Sequence, residues 1–456
     1  MKNKVAACLV TVAALLLSSA VFADGGAGLV TDVSVRQRWP WSGKVDIDYT
    51  YTGSVVTSIL ISATWQGQTT PVNLVALADT GTFSVAPGTH RFTWDPAAAG
   101  YDGKTLVGFE VSVTPGVDPR TYLILDLVNG GYSTVAERPA SGWSDDQKRN
   151  KMVFRRVPAG TYTLGTEQTD IQKVWTTWSS LSAQVRGNFV SGTPTRQVTL
   201  TSDFYLAVFP ETQRQYQAIN GTNNSNAMTP VYVVDDARLI RGATLADGVT
   251  AVDWPTTGYR VSATSYIGKL RAKSAKKGQP QLLIDLPSEA QWEVAMRAGG
   301  TGFFPNGGTT DNTLEELRQI FEEIAWLKAT TSTDAWNEEV GRKSPTEWGF
   351  YDMYTRGELT LDWANDHGYY STGTRLNMSG LAGGTDPVGP TSSAKNYRVR
   401  RSNGTPASWA ETSTSGILVS YRDGVTIPSG TGAKAAYNGA LRFAIHLKPL
   451  QDLPVE

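Results

Sequence analysis

Four carboxylates fall within fifteen positions, at Asp352, Glu358, Asp362 and Asp366. Hard carboxylate oxygens clustered in this way are the ligand type that calcium takes. The competing reading is a set of solvated or salt-bridged carboxylates in a loop. Downstream, residues 401–438 are rich in Ser, Thr and Gly, carry scattered aromatics and lack strong periodicity. In that stretch Trp409, Tyr421, Arg422 and Tyr437 could anchor a ligand, because large aromatics and guanidinium groups dominate recognition surfaces. An ordinary long loop is the alternative.

Other chemistry has little to build on. The single cysteine, Cys8, lies in an apolar run near the start of the chain. Only His90, His367 and His446 are available as imidazole ligands. A three-histidine site would have to draw them together from two domains, so they read as isolated, structurally satisfied side chains. No H-E-x-x-H, G-x-S-x-G or Walker pattern occurs. The glycines from Gly302 to Gly308 lack the strand-before, helix-after setting of a phosphate loop. Glu322 and Glu323 fall on an expected surface helix from Leu314 to Trp326, and Lys269 to Lys277 form the solvated tail of another.

The elements that must position these residues are legible in patches. Leu286 to Gly300 reads as a short helix: Pro287 and Ser288 open it, and Glu289 suits the positive end of the dipole. Trp292, Ala295 and Met296 recur at helical spacing, and Gly299-Gly300 ends the turn. A further helix is expected at Ala263 to Lys273. Earlier, Val45 to Tyr51, Ser58 to Trp65 and Gly108 to Val113 alternate with period two between turn residues, which predicts a small β-sandwich of immunoglobulin type. Its start, Gln37-Arg38-Trp39-Pro40-Trp41-Ser42, could be a carbohydrate platform; the preferred reading is that these tryptophans plug the core and edge of the sandwich.

Lys2 and Lys4, the apolar run Val5 to Val21 and the Val21-Phe22-Ala23 tripeptide predict an export signal over 1–23 cleaved after Ala23, with an uncleaved anchor as the alternative. No later segment is apolar enough to cross a bilayer. Without those two lysines, 39 basic residues face 42 acidic ones, a balance that argues against a nucleic-acid partner. The expected division is 24–120 sandwich, 121–150 connecting strand and linker, and 151–450 a second domain.

That second domain carries a series of motifs in order. Val157 to Gly165, Phe204 to Tyr216, Val252-Asp253-Trp254, Leu286 to Gly300, Val340 to Met353 and Gly439 to Ala444 each resemble a segment of the formylglycine-generating enzyme, or sulfatase-modifying factor, family. The resemblance implies an α+β fold, a compact C-type-lectin-like domain over roughly 150–450 behind the all-β sandwich. Catalytic members bind copper(I) through two cysteine thiolates near R-G-G-S-W, as soft ligands should. Here that region reads Arg400 to Trp409 and has no cysteine, so copper is not expected. The family's G-N-V-W-E-W segment, which commonly holds calcium, is altered to Gly357 to Trp363 and lacks the asparagine. The expectation is a secreted, non-catalytic protein that recognises an extracellular glycan or protein. The alternatives are a divergent oxidoreductase of the same superfamily and a structural module of an extracellular assembly.

Overall fold

A computed structural model describes residues 9–11, 29–167 (apart from 69, 78 and 80), 169–170, 172–173, 194–221, 228–231, 233–234, 238–242, 244, 252, 259–302 (apart from 277), 311–325, 338–363 (apart from 355), 383–387, 397–403, 422–426 and 437–447. The chain divides into two compact units, Met1–Thr121 and Tyr122–Glu456. It is an α+β protein with many strands and few helices.

In the first unit, β1 (Val30–Gln37), β2 (Val45–Tyr51) and β3 (Gly88–Trp94) form one antiparallel sheet, with β2 in the middle. Val72–Asn73, Ser58–Thr64 and Glu110–Gly116 form a second, with Ser58–Thr64 central. The alternating apolar residues of both sheets meet in one cluster that includes Ile47, Tyr49, Ile59, Ile61 and Phe92. Trp94 stacks on Phe109 with centroids 5.4 Å apart, and Trp65 stacks on the same ring at 6.0 Å. Among the described residues Leu9–Thr11 also runs parallel to Thr105–Val107.

The second unit is built on a six-stranded antiparallel sheet. Its spatial order is Tyr132–Val135, Tyr122–Asp126, Lys151–Val157, Phe204–Ala207, Ala444–His446 and Ile284–Asp285. The stretch 121–150, expected as a connecting strand and linker, thus supplies two strands of this sheet. Among the described residues, a two-stranded ladder of Val233–Val234 with Tyr437–Asn438 and two three-stranded sheets accompany it. Gly160–Leu164, Arg196–Leu200 and Gly384–Thr385 make one; Arg356–Trp363, Tyr397–Asn403 and Arg422–Thr426 make the other.

Helix α1 (Glu289–Arg297) lies at the centre of the unit's core. Ser288 caps it, accepting from the Gln291 N–H while the Gln291 side chain accepts from the Ser288 N–H. Ala298 in the left-handed region (φ 49°) and Gly299 (φ 78°) stop it. Trp292, Val294, Ala295 and Met296 pack against Val157, Leu164, Val198, Phe204 and Phe350. The other expected helices appear with shifted ends: Tyr266–Ser274 begins after its Ser265 cap, and Leu314–Ile324 stops two residues short of Trp326.

Candidate functional site

The helix core contains charge as well as hydrocarbon. Glu289 and Glu293 stand one turn apart on α1, and both are buried. Arg401, from the central strand of the sheet Arg356–Trp363, Tyr397–Asn403 and Arg422–Thr426, reaches them both and is itself fully buried. Its Nη1 donates to Glu289 Oε1 at 2.8 Å and its Nη2 to Glu293 Oε2 at 2.8 Å. The guanidinium also lies 5.1 Å from the centroid of the Trp292 ring. Glu293 Oε1 accepts from Arg297 Nε and from the Gly165 N–H, each at 2.8 Å. Arg297 then donates through Nη2 to the Gly165 carbonyl at 2.6 Å and through Nη1 to the Gly302 carbonyl at 2.7 Å.

Two carboxylates and two guanidiniums therefore balance inside the core, in hydrogen-bonded pairs. Burial alone would raise the Glu293 carboxyl, but the Arg297 and Arg401 guanidiniums overcome it and hold the group below its ordinary value. Burial would likewise lower Arg401; Glu293 and Glu289 reverse that and raise it. The neighbouring Tyr354 hydroxyl is pushed well above its ordinary value by burial, with Arg297 and Arg401 pulling the other way. All three stay in one protonation state near neutrality. The constellation braces a strand against a helix and a turn. It offers neither a nucleophile nor a proton acceptor poised to react.

The strands that Arg401 braces also define the base of the candidate ligand surface. Arg401 pairs across to Glu358 on one side and to Arg422 on the other. Residues 404–421, which join Tyr397–Asn403 to Arg422–Thr426 in sequence, lie outside the described residues. Arg422 is the first residue of the returning strand, and Tyr437 pairs with Val234 in a short antiparallel ladder. Trp409 and Tyr421 lie outside the described residues.

The four expected calcium ligands are placed in part. Asp352 is buried at φ 53°, and its Oδ2 accepts from the Gly341 N–H at 2.7 Å. Glu358 and Asp362 belong to the strand Arg356–Trp363, while Asp366 lies outside the described residues. Among the described residues no group of three or more His, Cys, Asp or Glu side chains is arranged to hold a metal.

The histidines fall in separate surroundings. His90 stacks on Tyr49 at 5.5 Å and bonds the Ala86 carbonyl through Nε2 at 2.8 Å in the first unit. His446, in the second, bonds the Leu286 carbonyl through Nε2 at 3.1 Å and packs 4.4 Å from the Tyr259 ring. His367 lies outside the described residues.

Glu211, which follows the strand Phe204–Ala207, is buried, and among the described residues neither of its carboxyl oxygens has a hydrogen-bond partner. It borders a small cavity lined by Met152, Val153, Ala207, Phe209, Gln215 and Phe443. Burial pushes its carboxyl well above the ordinary value.

The profile of the sulfatase-modifying factor enzyme 1-like domain matches residues 140–413. The chain belongs to that family. The structure of PvdO from Pseudomonas aeruginosa is similar at 18% identity and a TM-score of 0.37, over 68% of this chain and 99% of that one. No curated protein sequence matches.

A sulfatase-modifying factor domain with copper chemistry needs a pair of thiolates, and this chain has one cysteine, at position 8. The residues present do not fit that ion. Arg401, in the stretch whose sequence resembles the family's R-G-G-S-W segment, is engaged by Glu289 and Glu293. Sequence reading missed this cluster because Arg401 lies more than a hundred positions from its partners. One signal was present: Glu289 and Glu293 lie one turn apart on a helix that also carries the apolar Trp292, Val294, Ala295 and Met296.

Proposed function

We propose that this protein is a secreted, non-catalytic recognition protein. Its sulfatase-modifying factor domain, a C-type-lectin-like scaffold, presents the 404–438 region as the ligand-contact surface, with Trp409, Tyr421, Arg422 and Tyr437 as anchors. The observation that carries the reading is the Arg401 clamp. It secures the strand that precedes residues 404–421, in a stretch whose sequence resembles the one in which catalytic relatives keep their thiolates, and a rigid base is how binding scaffolds hold a contact surface. The ligand is an extracellular glycan or protein. Calcium held by Asp352, Glu358, Asp362 and Asp366 is a second element of the proposal, resting on the oxygen-rich donor set. The first unit, an immunoglobulin-like sandwich, accompanies the scaffold after removal of residues 1–23.

A glycan and peptide array probed with purified protein, with and without added calcium, tests this. Binding that is lost in a Trp409→Ala, Tyr437→Ala double variant is the expected result. Stoichiometric copper or iron in the purified protein, or aldehyde formation on a sulfatase-derived peptide, would overturn it.

A further inference from the structure

The tryptophans of Gln37 to Ser42 do not plug the first unit. Trp41 is 89% exposed and Trp39 is 49% exposed. Among the described residues neither indole makes a ring contact, whereas Trp65 and Trp94 of the same unit are buried against Phe109. The reason is their place in the chain: they occupy the reversal between β1 and β2, beyond the last residue that alternates into the core.

The reversal is nevertheless tightly built. The Arg38 N–H donates to the Lys44 carbonyl at 2.9 Å, and the Trp41 and Ser42 N–H groups donate to the Arg38 carbonyl at 3.1 and 3.2 Å. Lys44 N–H bonds Ser42 Oγ at 3.3 Å, and Gln37 Nε2 bonds the Gly43 carbonyl at 3.3 Å. Beneath it, the buried carboxylate of Asp46 accepts from Arg38 Nη2 at 2.7 Å and from Arg36 Nη2 at 3.3 Å. Arg38 Nη2 also reaches Thr93 Oγ1 at 3.2 Å. The Arg38 hydrogen bond is the main reason that the Asp46 carboxyl is lowered to about 2, so it stays ionised at any working pH. Two exposed guanidiniums thus share one negative charge, and a net positive charge sits beside the two indoles.

We infer that the Trp39–Trp41 hairpin is a binding site for an acidic glycan. The indole faces would stack on the apolar faces of sugar rings, and Arg36 and Arg38 would meet a ring carboxylate or sulfate. Three features select this ligand class. The aromatic surface is held by a rigid turn, so little entropy is lost when it is covered. The guanidiniums are oriented by bonds to Asp46, which suits an anion at a fixed place on a ring. Between Arg36 and Lys44 the sole aliphatic side chain is that of Pro40, whereas a protein partner or a bilayer would be met by a broader apolar face. The site lies wholly in the first unit and does not depend on the 404–438 surface.

The test is affinity electrophoresis of the full chain in gels containing polygalacturonate, dextran sulfate or neutral dextran, with anionic phospholipid vesicles in a parallel sedimentation assay. Retardation by at least one acidic polymer but not by neutral dextran is expected, and which polymer retards the protein identifies the anion. Trp41→Ala should weaken that binding about tenfold without any change of charge. Arg36→Gln should weaken it as well, and both exposed sites leave the circular dichroism spectrum unchanged. Three results would overturn the inference: no retardation by either acidic polymer, equal binding by Trp41→Ala, or Trp-dependent binding to vesicles alone.

Discussion

Arg401 and Glu211 are opposite solutions to the problem of burying charge. Arg401 is matched by two carboxylates through hydrogen bonds of 2.8 Å. Arg401→Met would leave Glu289 and Glu293 with less compensation in the core, and breaking a buried pair costs about 3–5 kcal/mol. Urea denaturation followed by tryptophan fluorescence should show that loss. Because Glu293 is held below its ordinary value, its contribution is present at neutral pH and fades as the solution is acidified through the carboxylate range. Glu211 works in reverse. Its folded value is raised, so its cost is absent below the ordinary 4.5 and grows as pH rises above it. Glu211→Gln should therefore stabilise the protein by about 1–3 kcal/mol at pH 8 and have little effect at pH 4. Equal stability of the two proteins at pH 8 would show that the carboxyl finds a partner.

At the scale of elements, what could be read from sequence depended on how local the determinant was. Helix Glu289–Arg297 was legible because Ser288, Glu289 and Gly299, which start and stop it, lie in it or within two residues of its ends. The strands Val45–Tyr51 and Ser58–Thr64 were legible because every second side chain is apolar. Trp39 and Trp41 were misplaced because tryptophan says nothing of whether the next residue continues a strand or turns out of it. The Arg401 cluster was missed because its partners are remote in sequence, whereas Tyr122–Asp126 was expected as a connecting strand but not as a member of the sheet, and its local partner Tyr132–Val135 was not expected. The same limit applies to helix Tyr266–Ser274. Gly268 looks like a poor helix residue, yet an added Cβ would collide with the Ser262 and Ala263 carbonyl oxygens. Close backbone approach requires glycine there. Gly268→Ala should cost about 1–3 kcal/mol, as overpacking of a rigid site does, although alanine is the better helix former. A calorimetric melt in which the variant is more stable would mean that the entry to this helix yields.

For the whole molecule, the absence of any possible intrachain disulfide puts the burden on packing and on buried ion pairs. Arg156 with Asp203 at 2.7 Å and Arg241 with Asp285 at 2.9 Å join Arg401 in that role. Arg442, also buried, donates to the Ala207 and Tyr351 carbonyls at 2.9 Å each and so links the closing segment to distant parts of the unit. These contacts all lie within 122–456, and the first unit has its own apolar cluster. Where the second unit begins then becomes a physical question with a definite answer. Lys151–Val157 is paired on one side by Tyr122–Asp126, whose Leu123 and Leu125 are fully buried. A fragment starting at 151 would expose that strand edge and the apolar surface beneath it. A fragment starting at 122 keeps both. Residues 122–456 should therefore melt cooperatively by circular dichroism, and residues 151–456 should lack a cooperative transition or aggregate. A cooperative, soluble 151–456 fragment would show that the two strands of 122–135 are accessory to the sheet rather than part of its core.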